Sequence, residues 1–354
     1  MGIPSNSYKE RVSAAITWLR FPLILCVVML HCYCTVPLTA GNHTLFFKIV
    51  YPMGLWLGET GVPGFFFTSG FLFFISKKSY GQKLATRAHT LLIPYLLWNA
   101  ILLALYLLAY AAGYPQNINY RSITEYHFID YIRLFWDRGT WDNGNFVPLL
   151  CPFWYIRNLL IMSVLSPLLY YIIRYGGVVF LLTVAAWWMM TYHNAFISQT
   201  IFFFSLGAYF SIRNFNPLEL FYRHRQLIFF LFLLFALTDF ATHSYINSSY
   251  SLQVHRLALI INIPALILLA DYCNNKEFAS RQLPNATFIV FAVHYPIVVI
   301  LRKICIAQFS MAADYTHILL YFLCIIASTA ISLSIYIILN KYFPKLKNIL
   351  SGNR

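Results

Sequence analysis

Residues 14–36 read AAITWLRFPLILCVVMLHCYCTV. The stretch is long enough to cross a bilayer, because about 20 apolar residues span the hydrocarbon core. It nevertheless carries an arginine, Arg20, and a histidine, His31. Their separation of eleven positions amounts to three turns plus about 20° at 3.6 residues per turn, so both side chains leave the same face. Along the axis they stand about 16 Å apart, roughly half the hydrocarbon thickness. Ionisable groups at such depth are costly in lipid and commonly line a cavity or a substrate path. The helix is read as a link between a site near the cytoplasmic surface and a reaction centre deeper in the membrane.

The rest of the chain is of one kind with this stretch. Of 354 residues, 60% are hydrophobic and only 10% charged, which excludes an ordinary soluble domain and predicts an all-α polytopic membrane protein. The net charge of +14 fits basic residues gathered in cytoplasmic loops, so nucleic-acid binding is set aside. Seven cysteines show no CxxC pair and no metal-ligand spacing, and no metal is expected. The N-terminal stretch is taken as a retained first helix rather than a signal peptide, because Arg20 interrupts it and no small-residue cleavage site follows.

About ten spans are predicted, at 14–36, 53–75, 91–112, 153–174, 177–194, 198–212, 226–241, 256–272, 286–306 and 316–340. With the N-terminus inside, the outer segments hold Lys48, Arg121, Arg133, Arg138, Arg302 and Lys303. Arg20, Arg157 and Arg256 fall within spans, and the remainder of the 25 basic residues fall inside. That bias predicts both termini in the cytoplasm, and Arg302 with Lys303 is the one pair that fits it badly. The chain reads as a single domain over 1–354, membrane-embedded from about 14 to 340, with a long extracytoplasmic loop at 113–152. Within that loop SITEYHFIDYIRLFW suggests a short helix capped by Ser122, with Glu125 at capping-box spacing.

Several further residues are candidates for chemistry. Glu59, in GETGVPGFFFTSGFLFF at 58–74, lies at a depth similar to His31, and a carboxylate beside an imidazole would orient the ring. Arg157 lies in the fourth span and His294 near the middle of the ninth, and Asp239 ends the seventh. A guanidinium in hydrocarbon needs a partner, which makes Arg157 a candidate for substrate binding. His294 is a further candidate for substrate binding, although a lone histidine in a membrane helix is more often a packing hydrogen-bonder. The first inner loop gathers Lys77, Lys78, Lys83, Arg87 and His89. Arg87 and Arg20 are suited to clamp a phosphorylated cytosolic molecule with guanidinium forks.

These residues together resemble the acyltransferase-3 family of integral membrane O-acyltransferases. Arg20 and His31 match its arginine–ten residues–histidine motif. VPGFFFTSGF at 62–71 is similar to its second-helix signature, with Phe66, Phe67, Ser69 and Gly70 in register. RAHTLLIPYLLW at 87–98 resembles the stretch after the first inner loop, and PFWYIRNLLIMSVLSPLL, FFFSLGAYF and FIVFAVHYPIVV resemble later segments. The resemblance implies transfer of an acyl group, commonly acetyl, from cytosolic acyl-CoA to a hydroxyl of a sugar or glycolipid, as in O-acetylation of a surface polysaccharide. His31 is then the catalytic histidine, Arg20 and Arg87 face CoA, and Ser69 is a candidate donor to the oxyanion. Many members carry a second arginine in the inner loop, where this chain has His89. Acyl-CoA is expected as co-substrate with no bound cofactor, membrane lipids as surroundings, and a bacterial cytoplasmic membrane as location. Two other readings stay open: a transporter of a proton-coupled solute or lipid-linked sugar, since intramembrane Arg, His and Glu also serve proton relays, and a non-catalytic membrane subunit.

Overall fold

The computed structural model describes residues 5–32, 45–118, 121–139, 146–192, 195–242, 249–275, 282–309 and 313–353, with side chains from Glu10 onward in the first of these and from Ser251 in the sixth. Residues 33–36 of the first expected span, 119–120 and 140–145 of the long loop, and 193–194 of the fifth span lie outside them. The architecture is helical throughout: α1 (Ser5–Cys32), α2 (Tyr51–Ile75), α3 (Tyr80–Arg87), α4 (Ile93–Ala111), α5 (Phe128–Arg133), α6 (Trp154–Val164), α7 (Ser166–Met190), α8 (Ala195–Ile212), α9 (Pro217–Arg223), α10 (Arg225–Thr242), α11 (Ser249–Asn275), α12 (Leu283–Phe309), α13 (Asp314–Tyr342) and α14 (Pro344–Ser351). One antiparallel ribbon, β1 (Asn117–Ile118) with β2 (Arg121–Ser122), sits after α4.

Among the described residues eight helices are long and apolar enough to cross a membrane. The ten expected spans map onto these with two differences. Helix α2 has the length, with 25 residues, but Glu59 and its glycines dilute its apolar character. The expected span 153–174 is itself divided into a short α6 and the opening part of α7, and the expected boundary between it and 177–194 falls where α7 breaks at Gly177 (φ 52°, ψ −129°), which separates two helices. That conformation is open to glycine and strained for other residues. Arg213 closes the break by donating to the Arg174 carbonyl at 2.9 Å.

Helix α2 is the axle of the bundle because its small residues let backbones approach, the usual basis of helix association in lipid. A Cβ on Gly61 would lie 2.7 Å from the Leu23 carbonyl oxygen, and one on Gly58 would lie 2.8 Å from the Leu30 Cβ, so α1 packs antiparallel along this stripe. On another face Gly70 and Gly207 interlock reciprocally. A Cβ on Gly70 would overlap the Phe204 carbonyl, and one on Gly207 the Phe67 carbonyl, which brings α2 and α8 backbone to backbone. Phe66, Phe67, Phe71, Phe203 and Phe204 fill the space around these crossings and are almost wholly buried.

The long loop forms a packed cap with its own small core of Ile118, Ile123, Leu134 and Leu149. The expected helix begins later than the Ser122 cap suggested. Ser122 caps only a 3-10 turn over Ile123–Glu125, and α5 starts at Phe128, where the His127 amide donates to Asp130 at 3.1 Å. The cap is tied down from α4. Tyr95 donates to the Phe135 carbonyl, and the Leu150 amide donates to Asn99 Oδ1 at 3.0 Å.

Candidate functional site

A cleft of about 140 Å³ opens between α1, α2, α6, α12 and the turn after α3. Arg20, Arg87, Ser69, Tyr155 and Thr287 supply its polar wall, and Phe65, Phe288 and Phe291 are its main aromatic lining. Each element delivers its residue for a local reason. Helix α3 is amphipathic and opens on a capping box, Ser79 with Gln82, which fixes where its last residue, Arg87, ends up. The Arg87 guanidinium lies 5.7 Å from the centre of the Phe73 ring, and the Lys83 ammonium lies 5.0 Å from the same ring. These cation–π contacts hold both charges at the cleft's mouth. Arg20 and Arg87 are close enough to feel each other's charge, and the Tyr155 phenol lies within electrostatic reach of both. His89 is exposed and does not join them; the cation beside Arg87 is Lys83.

His31 lies further along α1 and faces the same helix that Arg20 faces across the cleft. Its ring centre is 5.4 Å from that of His294 and 5.0 Å, edge-on, from that of Tyr295. The shared face expected for Arg20 and His31 is thus the α12 side. His294 is fully buried. Its Nδ1 lies 2.8 Å from the Phe291 carbonyl and 3.1 Å from that of Val290. A carbonyl only accepts, so Nδ1 carries the proton, and Nε2 is left as a lone-pair nitrogen with no partner among the described residues. Phe291 links this pair to the cleft: its ring centre is 6.0 Å from that of His294 and 5.9 Å from that of Tyr155.

Two expectations need correction. Glu59 does not orient His31. Its carboxylate oxygen lies 3.0 Å from His255 Nε2, and the other ring nitrogen of His255 lies 2.7 Å from Asp239. Depth matched as expected, but azimuth did not. Glu59 is two positions before Gly61, which faces α1, and is therefore about 160° round the helix from it. Arg157 does not line the cleft. Its guanidinium donates to the carbonyls of Trp136 at 2.7 Å and Phe146 at 2.9 Å, bonds Asn158, and stacks over the Trp136 ring. The partners that a buried guanidinium needs are main-chain oxygens of the cap rather than an anionic ligand.

Sequence reasoning missed Tyr155, Thr287 and His255. Tyr155 was visible two residues before Arg157, but a tyrosine in an aromatic run gives no signal by itself. Tyr155 Oη lies 3.3 Å from Ser69 Oγ, and its ring centre lies 4.7 Å from that of Phe66. Thr287 Oγ1, on the cleft wall, is buried with no partner among the described residues.

The chain matches the sequence profile of the acyltransferase domain over residues 13–337. It is 25% identical over 371 aligned residues to the succinoglycan biosynthesis protein ExoH of Rhizobium meliloti (strain 1021), with 97% of this chain and 93% of that protein covered. No solved structure matches it. With the match spanning nearly all of its helices, this multi-pass membrane protein belongs to the acyltransferase-3 family.

Proposed function

We propose that the protein moves an acyl group, acetyl in the simplest case, from cytosolic acyl-CoA to a hydroxyl of a surface polysaccharide or of its lipid-linked precursor. The observation that carries this reading is the cleft itself. Two guanidiniums stand at one end, and an aromatic ring at the other connects to a pair of imidazoles. CoA brings several phosphates, which guanidinium forks hold well, and an extended pantetheine arm would carry the thioester toward His31. The relative from Rhizobium meliloti is named for the biosynthesis of a polysaccharide, which supports a glycan acceptor. The topology that goes with this has ten spans, both termini in the cytoplasm of a bacterium, and the cap over 113–152 on the far side of the inner membrane.

His31 carries the transfer in this account. An imidazole serves acyl transfer in two ways, as the base that takes the acceptor's proton or as a nucleophile that relays the acyl group. The Nε2 of its neighbour His294, a lone-pair nitrogen with no partner among the described residues, suits either, because it is able to accept an N–H brought to it during the reaction. Ser69, on the cleft wall, is the donor to the oxyanion of the tetrahedral intermediate in this account.

The test is calorimetric titration of CoA into purified full-length protein. Arg20→Ala should weaken binding by about tenfold to a hundredfold, the range of a charge-assisted contact of roughly 1.5–3 kcal/mol. Equal affinity for wild type and Arg20→Ala would remove the donor from this cleft. The Glu59–His255–Asp239 chain is the one observation favouring a second reading, proton-coupled transport, since such chains hold and pass protons. Proton-dependent solute uptake by vesicles containing the protein, with no acyl transfer, would establish it.

A further inference from the structure

We propose that Tyr155 is the acid that protonates the departing CoA sulfur, an assignment that rests on the acyl-CoA reading above. The cleft holds few polar groups between its cationic mouth and the imidazole pair. Thr68 spends its hydroxyl on its own helix, bonding the Gly64 carbonyl at 2.9 Å. Thr287 lies on the opposite wall, on α12. The remaining pair is Ser69 and Tyr155, in hydrogen-bond contact at 3.3 Å. Tyr155 is the member that reaches both ways. Its phenol lies within electrostatic reach of Arg20 and Arg87, and its ring packs on Phe291, whose own ring packs on His294. A thioester drawn from the mouth toward His31 passes this hydroxyl.

The local chemistry suits an acid. A phenol is a weaker acid than a thiol, so it gives up its proton to a sulfur only where positive charge supports the phenolate, and two guanidiniums do so here. The C–S bond breaks with its electron pair going to sulfur, and the proton of Tyr155 follows it to give CoA thiol. The acyl carbon bonds to the acceptor oxygen, directly or by way of His31, and the proton lost from the acceptor hydroxyl restores the phenol. The net change is thioester plus alcohol to ester plus thiol.

The packing of the ring gives a conservative probe. Tyr155→Phe keeps the contacts with Phe65, Phe66 and Phe291 and removes only the hydroxyl. Thiol release is measured in membrane vesicles that contain the full-length protein and the host's own acceptors, with two acyl donors: acetyl-CoA and 4-nitrophenyl thioacetate. The aryl thiolate leaves without help, so an acid matters only for CoA. The expected result is a loss of 10²-fold or more with acetyl-CoA, the usual contribution of a general acid. The loss with the aryl thioester should stay within a few-fold, and CoA affinity should be unchanged. Equal losses with both donors, or undiminished turnover of acetyl-CoA, would overturn the assignment while leaving the acyltransferase reading standing. A wild-type protein that releases no thiol from acetyl-CoA would overturn that reading and this assignment with it.

Discussion

His31 and His294 face each other across the α1–α12 contact with their ring centres 5.4 Å apart, and the hydrogen bonds of one fix what it can offer the other. Because His294 Nδ1 is turned to the carbonyls of its own helix, Nε2 is the nitrogen left for another partner. On the proposed reading His294 is a positioning residue for His31 rather than a second catalyst.

His294→Leu should slow transfer by at least tenfold without changing CoA affinity, because it removes the acceptor nitrogen and keeps an apolar buried volume. His294→Gln should recover part of the loss, since its amide oxygen is able to accept in place of Nε2. Rates at saturating acetyl-CoA check this. Equal rates for Leu and Gln variants would mean that His294 acts only by packing.

The fate of Glu59 gives a different expectation. It joins His255 and Asp239, and both ring nitrogens of that histidine face carboxylate oxygens. Removing one partner of a buried ion pair is costly, on the order of 3–5 kcal/mol where both are well shielded. Asp239→Asn should lower the melting temperature strongly. Glu59→Gln should lower it less, because the Glu59 side chain is 39% exposed. Each folded variant should keep acyl transfer within a few-fold of wild type. Loss of transfer in stable Glu59→Gln protein would return Glu59 to the reaction centre.

Arg157 also has a role that its sequence context disguised. Holding the carbonyls of Trp136 and Phe146, it pins the cap to α6. Arg157→Met should release the cap, and limited proteolysis from the far side should cut between residues 113 and 152 many times faster than in wild type. CoA affinity should not change. Weakened CoA binding with an intact cap would restore the substrate-binding role.

The pattern of what the sequence disclosed follows from geometry. Arg20 and His31 were legible because both sit on one helix, where 3.6 residues per turn fixes relative direction. The meeting of Arg20 with Arg87 was legible through charge placement at one membrane surface. The partners of Glu59 were not, because depth along a helix can be counted but the neighbour it faces depends on how helices are arranged around it. A partial signal existed in Gly58, Gly61 and Gly64, whose spacing marks the face of α2 that meets another helix. Glu59 stands off that face. The break at Gly177 was legible as the boundary between the spans 153–174 and 177–194, whereas the end of α6 was hidden because an apolar run shows no boundary when both sides are equally apolar.

The central claim is that His31 performs the transfer, and the most direct measurement is the rate of acyl transfer by folded His31→Gln protein at saturating acetyl-CoA. Glutamine keeps hydrogen-bonding atoms at that position but neither titrates nor carries an acyl group. The account predicts a loss of 10²–10⁴-fold or more, with CoA affinity unchanged because Arg20 and Arg87 are untouched. Transfer within a few-fold of wild type would contradict it.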